Sequence, residues 1–112
     1  MLWFHHLPWT YALSSGRTLW EELVSRYDEG VAYVSGMRRE WDALRPLVDA
    51  ERWQKTADFL DIQEREARWW RDASLAYWMS VNGLSLPPGV RPPEHDLAWY
   101  KAQEFPYAPG NP

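Results

Sequence analysis

Apolar residues recur at helical spacing through most of this chain. From Thr18 onward, Trp20, Leu23, Val24, Tyr27, Val31, Val34, Met37, Trp41 and Leu44 follow at intervals dominated by three and four. That stripe predicts one amphipathic helix of about seven turns over residues 17–45. Thr18 and Glu21 have capping-box spacing at its start, where hydroxyl and carboxylate each satisfy a free backbone N–H. Arg45-Pro46 ends it, because the residue before proline is driven out of helical geometry. Gly30 and Gly36 each weaken the helix by about 1 kcal/mol relative to alanine. Close approach of another helix, a kink, or simple tolerance would each account for them.

A second helix is predicted over residues 49–82. Asp49 caps it, Val48 and Trp53 have the spacing of a hydrophobic staple, and Asn82-Gly83 supplies a left-handed stop. Its apolar positions are Trp53, Ala57, Phe59, Leu60, Ile62, Ala67, Trp69, Trp70, Ala73, Ala76, Tyr77 and Trp78. Asp61 with Arg65, Glu64 with Arg68, and Arg68 with Asp72 stand four apart and read as ion pairs on a solvated face. Trp69 and Trp70 are neighbours, so their rings leave the axis about 100° apart. Tyr77 and Trp78 repeat the pattern. One companion helix shelters only one of those directions, so a second covering surface is expected, supplied from outside this chain.

The flanks are different. Leu2 to Leu7 is short, aromatic and closed by Pro8, which reads as a strand or extended edge. Trp9 to Leu13 can continue it to the break at Ser14-Ser15-Gly16, giving an extended segment over residues 1–16. Six residues of strand do not make a sheet, so its mates are expected outside this chain. Residues 84–112 form a Pro-rich tail, irregular at Pro87-Pro88-Gly89 and Pro92-Pro93, with one short helix within His95–Phe105. Beyond it, Pro106 to Pro112 is expected to be an extended strap packing through Phe105 and Tyr107. The expected fold is mainly α: a long antiparallel helical hairpin with an extended N-terminal segment and a Pro-rich C-terminal tail.

Composition changes this picture in one respect. The 112 residues hold nine tryptophans, six tyrosines and three phenylalanines. At roughly 200 Å² each, these rings could remove about 3,600 Å² from water, more than a small two-helix core requires. The surplus suggests that Trp20, Trp41, Trp53, Trp69, Trp70, Trp78 and Trp99 serve packing within the chain or an interface with something beyond it. The charge of −4 argues against nucleic acid as a partner. No apolar run is long enough to span a bilayer, and the first eight residues have no basic or long apolar stretch of the signal-peptide kind. Cysteine is absent, which excludes disulfides and thiolate sites and leaves the compartment open between cytoplasmic and exported.

Candidate chemistry is sparse. His5 and His6 are adjacent, and neighbours on a strand face opposite sides, so they do not share a metal; His95 is far away. No metal or cofactor is expected. His5 or His6 could line a pocket or simply be hydrogen-bonded near a strand end. Trp3, Trp9 or Trp99 could stack on a sugar ring in a cleft. The pairs Glu21/Glu22, Glu40/Asp42, Glu64/Glu66 and Glu94/Asp96 lie on helix faces or in a Pro-rich loop beside arginines. A glycosidase needs two carboxyls facing each other across its substrate, one sheltered enough to stay protonated. Solvated surface explains these pairs better. Ser14-Ser15-Gly16-Arg17 before a helix start could hold an anion, although a plain turn accounts for it better.

Specific blocks of sequence add a resemblance. Leu2-Trp3-Phe4-His5-His6-Leu7-Pro8-Trp9, Ser15-Gly16-Arg17-Thr18-Leu19-Trp20-Glu21-Glu22-Leu23 and Val48-Asp49-Ala50-Glu51-Arg52 resemble the C-terminal domain of α-glucuronidases of glycoside hydrolase family 67. The likeness is sharpest at Ile62-Gln63-Glu64-Arg65-Glu66-Ala67-Arg68-Trp69-Trp70-Arg71-Asp72-Ala73 and extends into Pro92 to Tyr107. It implies a polypeptide whose upstream (β/α)₈ barrel removes α-1,2-linked 4-O-methyl-glucuronic acid from xylooligosaccharides with inversion. The helical C-terminal domain of that family wraps the barrel and adds to a dimer surface. No catalytic residue is carried over, because nothing here resembles the barrel motifs, and the chain by itself is expected to be inactive. His5, His6 and Trp9 remain the weak candidates for contact with substrate. The rival expectation is a free-standing helical module that binds a protein partner or a carbohydrate through its second aromatic face.

Overall fold

The computed structural model describes residues 9–103. Two long helices dominate it: α1, Leu19–Ala43, and α2, Ala50–Asn82. A 3₁₀ turn at Arg45–Leu47 joins them, and a short α3, Leu97–Ala102, follows the Pro-rich stretch. Side chains meet across α1 and α2 in descending order against ascending order: Trp41 with Trp53, Arg38 with Asp61, Ser35 with Glu64, Asp28 with Arg71. The pair is therefore an antiparallel hairpin, as the periodicity predicts. No strand occurs among the described residues.

Each helix boundary has a local cause. Thr18 accepts from the Glu21 N–H while the Glu21 carboxylate accepts from the Thr18 N–H at 2.8 Å, closing the capping box. Asp49 accepts from the Arg52 N–H at the start of α2. Gly83 ends α2 at φ 64°, where a Cβ would be strained, and both its N–H and that of Leu84 reach back to the Met79 carbonyl. Asp96 caps α3 through the Trp99 N–H at 2.9 Å.

Residues 9–18 correct one expectation. They do not run on as an extended edge toward a distant sheet. Ala12 instead makes a single antiparallel bridge to Thr18, with Leu13 bonded to the Arg17 carbonyl at 2.7 Å. The returning loop lays its carbonyls over the helix start: Leu19 N–H donates to Tyr11 and Trp20 N–H to Trp9. The free donors of the first turn of α1 are thus satisfied by the chain's own preceding residues. The expected strand at Leu2 to Leu7 and the strap beyond Phe105 lie outside the described residues.

The core is concentrated where the chain ends converge. Trp9, Trp20, Val24 and Leu75 are buried together, with Leu23, Tyr27, Trp78, Met79, Leu84, Leu86 and Val90 packed against them. Trp20 closes the lid of this cluster by donating from Nε1 to the Ser85 carbonyl at 2.8 Å. A second cluster forms on another side of α2, where Ala73, Ala76 and Tyr100 are buried against Trp69 and Leu97. That cluster corrects a second expectation. Over residues 69–76, much of the second cover for α2 comes from this chain's own Pro-rich segment and α3.

Candidate functional site

The residues with the most organised chemistry are Arg71 and Asp72, both almost wholly buried at the middle of α2. The Arg71 guanidinium donates through Nε to Asp28 of α1 at 2.8 Å, through Nη1 to Asp72 at 2.8 Å, and through Nη2 to the Arg91 carbonyl at 2.6 Å. Asp72 in turn accepts from Arg91 Nη2 at 3.0 Å and from the Glu94 N–H at 3.4 Å. One planar cation and one carboxylate therefore pin α1, α2 and the Pro-rich segment together. Arg suits this place because its donors are fixed in a fork and stay charged. The network's charges balance, with Arg71 and Asp72 buried and Asp28 and Arg91 carrying it out to water.

Sequence spacing misassigned these charges. Asp72 does not pair with Arg68; it serves Arg71 and Arg91 from inside the fold. Asp61 does not pair with Arg65; it accepts from Arg38 of α1 at 2.8 Å. Glu64 and Arg68 do form the expected bridge, at 2.8 Å. Helical spacing shows which side chains are within reach along one helix but not which partner a neighbouring helix offers. The adjacency of Arg71 to the Trp69-Trp70 pair was the available signal that this face is covered.

Several carboxylates are accounted for by structural bonds. The hydrogen bond from Arg68, then that from Ser35, holds Glu64 below its usual 4.5. Glu21 is lowered likewise, first by the backbone N–H of Thr18 and then by its hydroxyl. Tyr100 moves the other way, above 10.0, first through burial and then through the nearby charge of Asp72. At Ser14–Arg17 the helix-start donors are already engaged by Thr18, Tyr11 and Trp9. A turn therefore explains that motif, and no anion cradle is left there. Among the described residues no group of three His, Cys, Asp or Glu is placed to hold a metal ion. No described helix is long and apolar enough to cross a membrane.

The tryptophans divide by position. Trp9 is 8% exposed, with its ring against Trp20 and Trp78, so it belongs to the first core cluster. Its Nε1 is buried without a hydrogen-bond partner among the described residues. Trp41 and Trp53 exchange indole N–H bonds with each other's carbonyls, each at 2.9 Å, at the turn end of the hairpin. Arg45 and Arg38 sit over the Trp53 ring at 4.6 and 5.6 Å. Trp69 and Trp70 are half-buried and meet edge to face, and Trp69 also meets Tyr100. Trp78 is half-buried beside Tyr77. Trp99 stacks on His95 at 3.6 Å and stays 38% exposed. His5 and His6 lie outside the described residues.

These features define a mainly helical fold fastened by indoles and one internal ion network. Residues 1–91 match the family described as "Glycosyl hydrolase family 67 C-terminus", and the chain belongs to that family. The likeness noted in Pro92 to Tyr107 falls beyond the matched span. The chain is 33% identical over 84 residues to alpha-glucuronidase A of Aspergillus tubingensis, covering 75% of this chain and 10% of that protein. It is 30% identical over 84 residues to the alpha-glucuronidase of Hypocrea jecorina, again 75% of this chain and 10% of the relative. The chain thus spans about a tenth of the length of the curated relatives it matches.

Proposed function

We propose that this chain is a C-terminal, non-catalytic element of a xylan α-glucuronidase that supports the catalytic barrel and contributes to a dimer contact. The parent enzyme would hydrolyse glucuronic or 4-O-methyl-glucuronic acid from xylooligosaccharides with inversion, using barrel carboxylates. The observation that carries this reading is family membership confined to a tenth of each relative, in a fold where Glu21, Asp49 and Asp96 serve as caps and Asp61, Glu64 and Asp72 as ion-pair partners. The apolar groups left in water support it further. Phe59 is 57%, Ile62 43% and Leu47 79% exposed around the turn end of the hairpin. Apolar surface of that kind is suited to burial against another body. The domain reading follows: residues 1–112 act as the later part of a helical C-terminal domain.

The test uses the chain and the complete α-glucuronidase that carries it. The chain alone should release no glucuronic acid from a glucuronosyl xylooligosaccharide. Deleting it from the complete enzyme should lower the melting temperature and shift the mass measured by light scattering from dimer toward monomer. An enzyme that tolerates the deletion with unchanged melting and mass would favour a free-standing module instead.

A further inference from the structure

Three shallow concavities meet around Arg65 on the outer side of α2. One of them, about 200 Å³, lies between α2 and α3 and is lined by Arg65, Arg68, Trp69, Glu94, Trp99 and Tyr100 among others. It falls below the roughly 300 Å³ at which sites for drug-sized ligands begin, which limits an occupant to one small ring. Aromatic rings form much of its wall: Tyr100 meets Trp69 and Trp99 edge to face, at 5.6 and 5.1 Å. His95, stacked on Trp99 at 3.6 Å, lines the pocket as well.

The charges in this pocket are unevenly committed. Asp72 reaches it, but both its oxygens are already bonded to Arg71, Arg91 or the Glu94 N–H. Arg68 gives one nitrogen to Glu64. Arg65 lost its expected partner when Asp61 turned to Arg38, and it makes no hydrogen bond or ion pair among the described residues. An exposed guanidinium beside an aromatic pocket presents a fork of donors that matches a carboxylate. Glu94, exposed at the edge, is a suitable acceptor for hydroxyl groups.

We infer that this pocket binds a single carboxylated pyranose, a uronic-acid unit, with the sugar ring against the indoles and its carboxylate on Arg65. The choice of a sugar among ring carboxylates rests on the function proposed above. The place of the carboxylate rests on Arg65 and its aromatic surroundings alone. Such a site is separate from catalysis and would hold a glucuronosyl side group of the polysaccharide near the enzyme.

The full 112-residue chain, labelled with ¹⁵N, is titrated with methyl α-glucuronoside, with methyl α-glucoside and with xylotriose. Saturable shifts of the Trp69 and Trp99 indole N–H signals are expected with the glucuronoside. The glucoside, which lacks the carboxylate, should bind about tenfold more weakly, the size of one hydrogen bond to a charged group. Arg65→Gln should weaken glucuronoside binding by a similar factor with an unchanged melting curve, while Arg52→Gln should leave it intact. Equal affinity for the two glycosides, shifts that never saturate, or indifference to Arg65→Gln would each overturn the assignment. Such results leave the deletion experiment on the parent enzyme untouched, so the two readings fail separately.

Discussion

The two ends of the hairpin use the same helices and reach different degrees of burial. At the terminal end, the loop before α1 and the segment after α2 fold over the helix pair, and Trp9, Trp20, Val24 and Leu75 are all enclosed. At the turn end, Trp41 and Trp53 close the seam between the helices through reciprocal indole bonds, yet Phe59 and Ile62 on α2 face water. The difference lies in the covering segments. A helix pair buries one stripe of each helix, and any further apolar face needs a third layer. Among the described residues that layer covers only about half the length of α2.

Substitutions can break or sharpen the contrast. The largest effect is expected at the ion network that fastens the covering segment. Asp72→Ala removes the buried one of the two carboxylates on Arg71, leaving only the half-exposed Asp28, and frees Arg91, so it should cost about 3 kcal/mol or more, read by urea denaturation of the chain. A cost below about 1 kcal/mol would show that the segment is held by packing alone. Next comes Leu75→Ala, fully buried in the terminal cluster, at about 3 kcal/mol.

Gly30→Ala probes the bare side of α1. A Cβ at Gly30 meets nothing within 4 Å, so alanine should stabilise the chain by about 1 kcal/mol. Among the described residues no atom of another helix lies within 4 Å of a Cβ placed at Gly30 or Gly36, which favours tolerance over close approach. A loss of stability confined to the complete enzyme would place a neighbour there. Phe59→Ala should change the chain alone by less than about 0.5 kcal/mol, because the ring is mostly in water. In the complete enzyme the same change should cost several-fold more if the turn end is covered.

The smallest expected effect is that of pH. Glu21 and Glu64 are held below 4.5 in the folded chain by hydrogen bonds, so both favour the folded state when ionised. That contribution is present above about pH 4.5 and disappears as pH falls through the lowered folded values. Melting temperatures should therefore hold level down to about pH 5 and then decline. Glu64→Gln should blunt the decline; an unaltered curve would count against the Arg68 and Ser35 bonds as its source.

Much of the molecule follows from one-dimensional pattern. The period of apolar residues is a property of the helix itself, so Trp20 to Leu44 and Trp53 to Trp78 declared two helices without reference to a neighbour. Caps at Thr18, Asp49 and Gly83 are equally local, since hydroxyl, carboxylate and left-handed glycine act within three or four residues of themselves. The divergent indoles of α2 likewise announced a second covering surface. Partner choice was decided only in three dimensions. Asp61 took Arg38 rather than Arg65, and Asp72 took Arg71 and Arg91 rather than Arg68. The Pro-rich stretch, which has no period to read, became a layer over Leu75, and α3 beyond it the layer over Ala73 and Ala76. Sequence specifies each element's own hydrogen bonds and the faces it needs to bury. Which distant groups meet those faces depends on how elements separated by tens of residues come together, and local spacing carries no record of that.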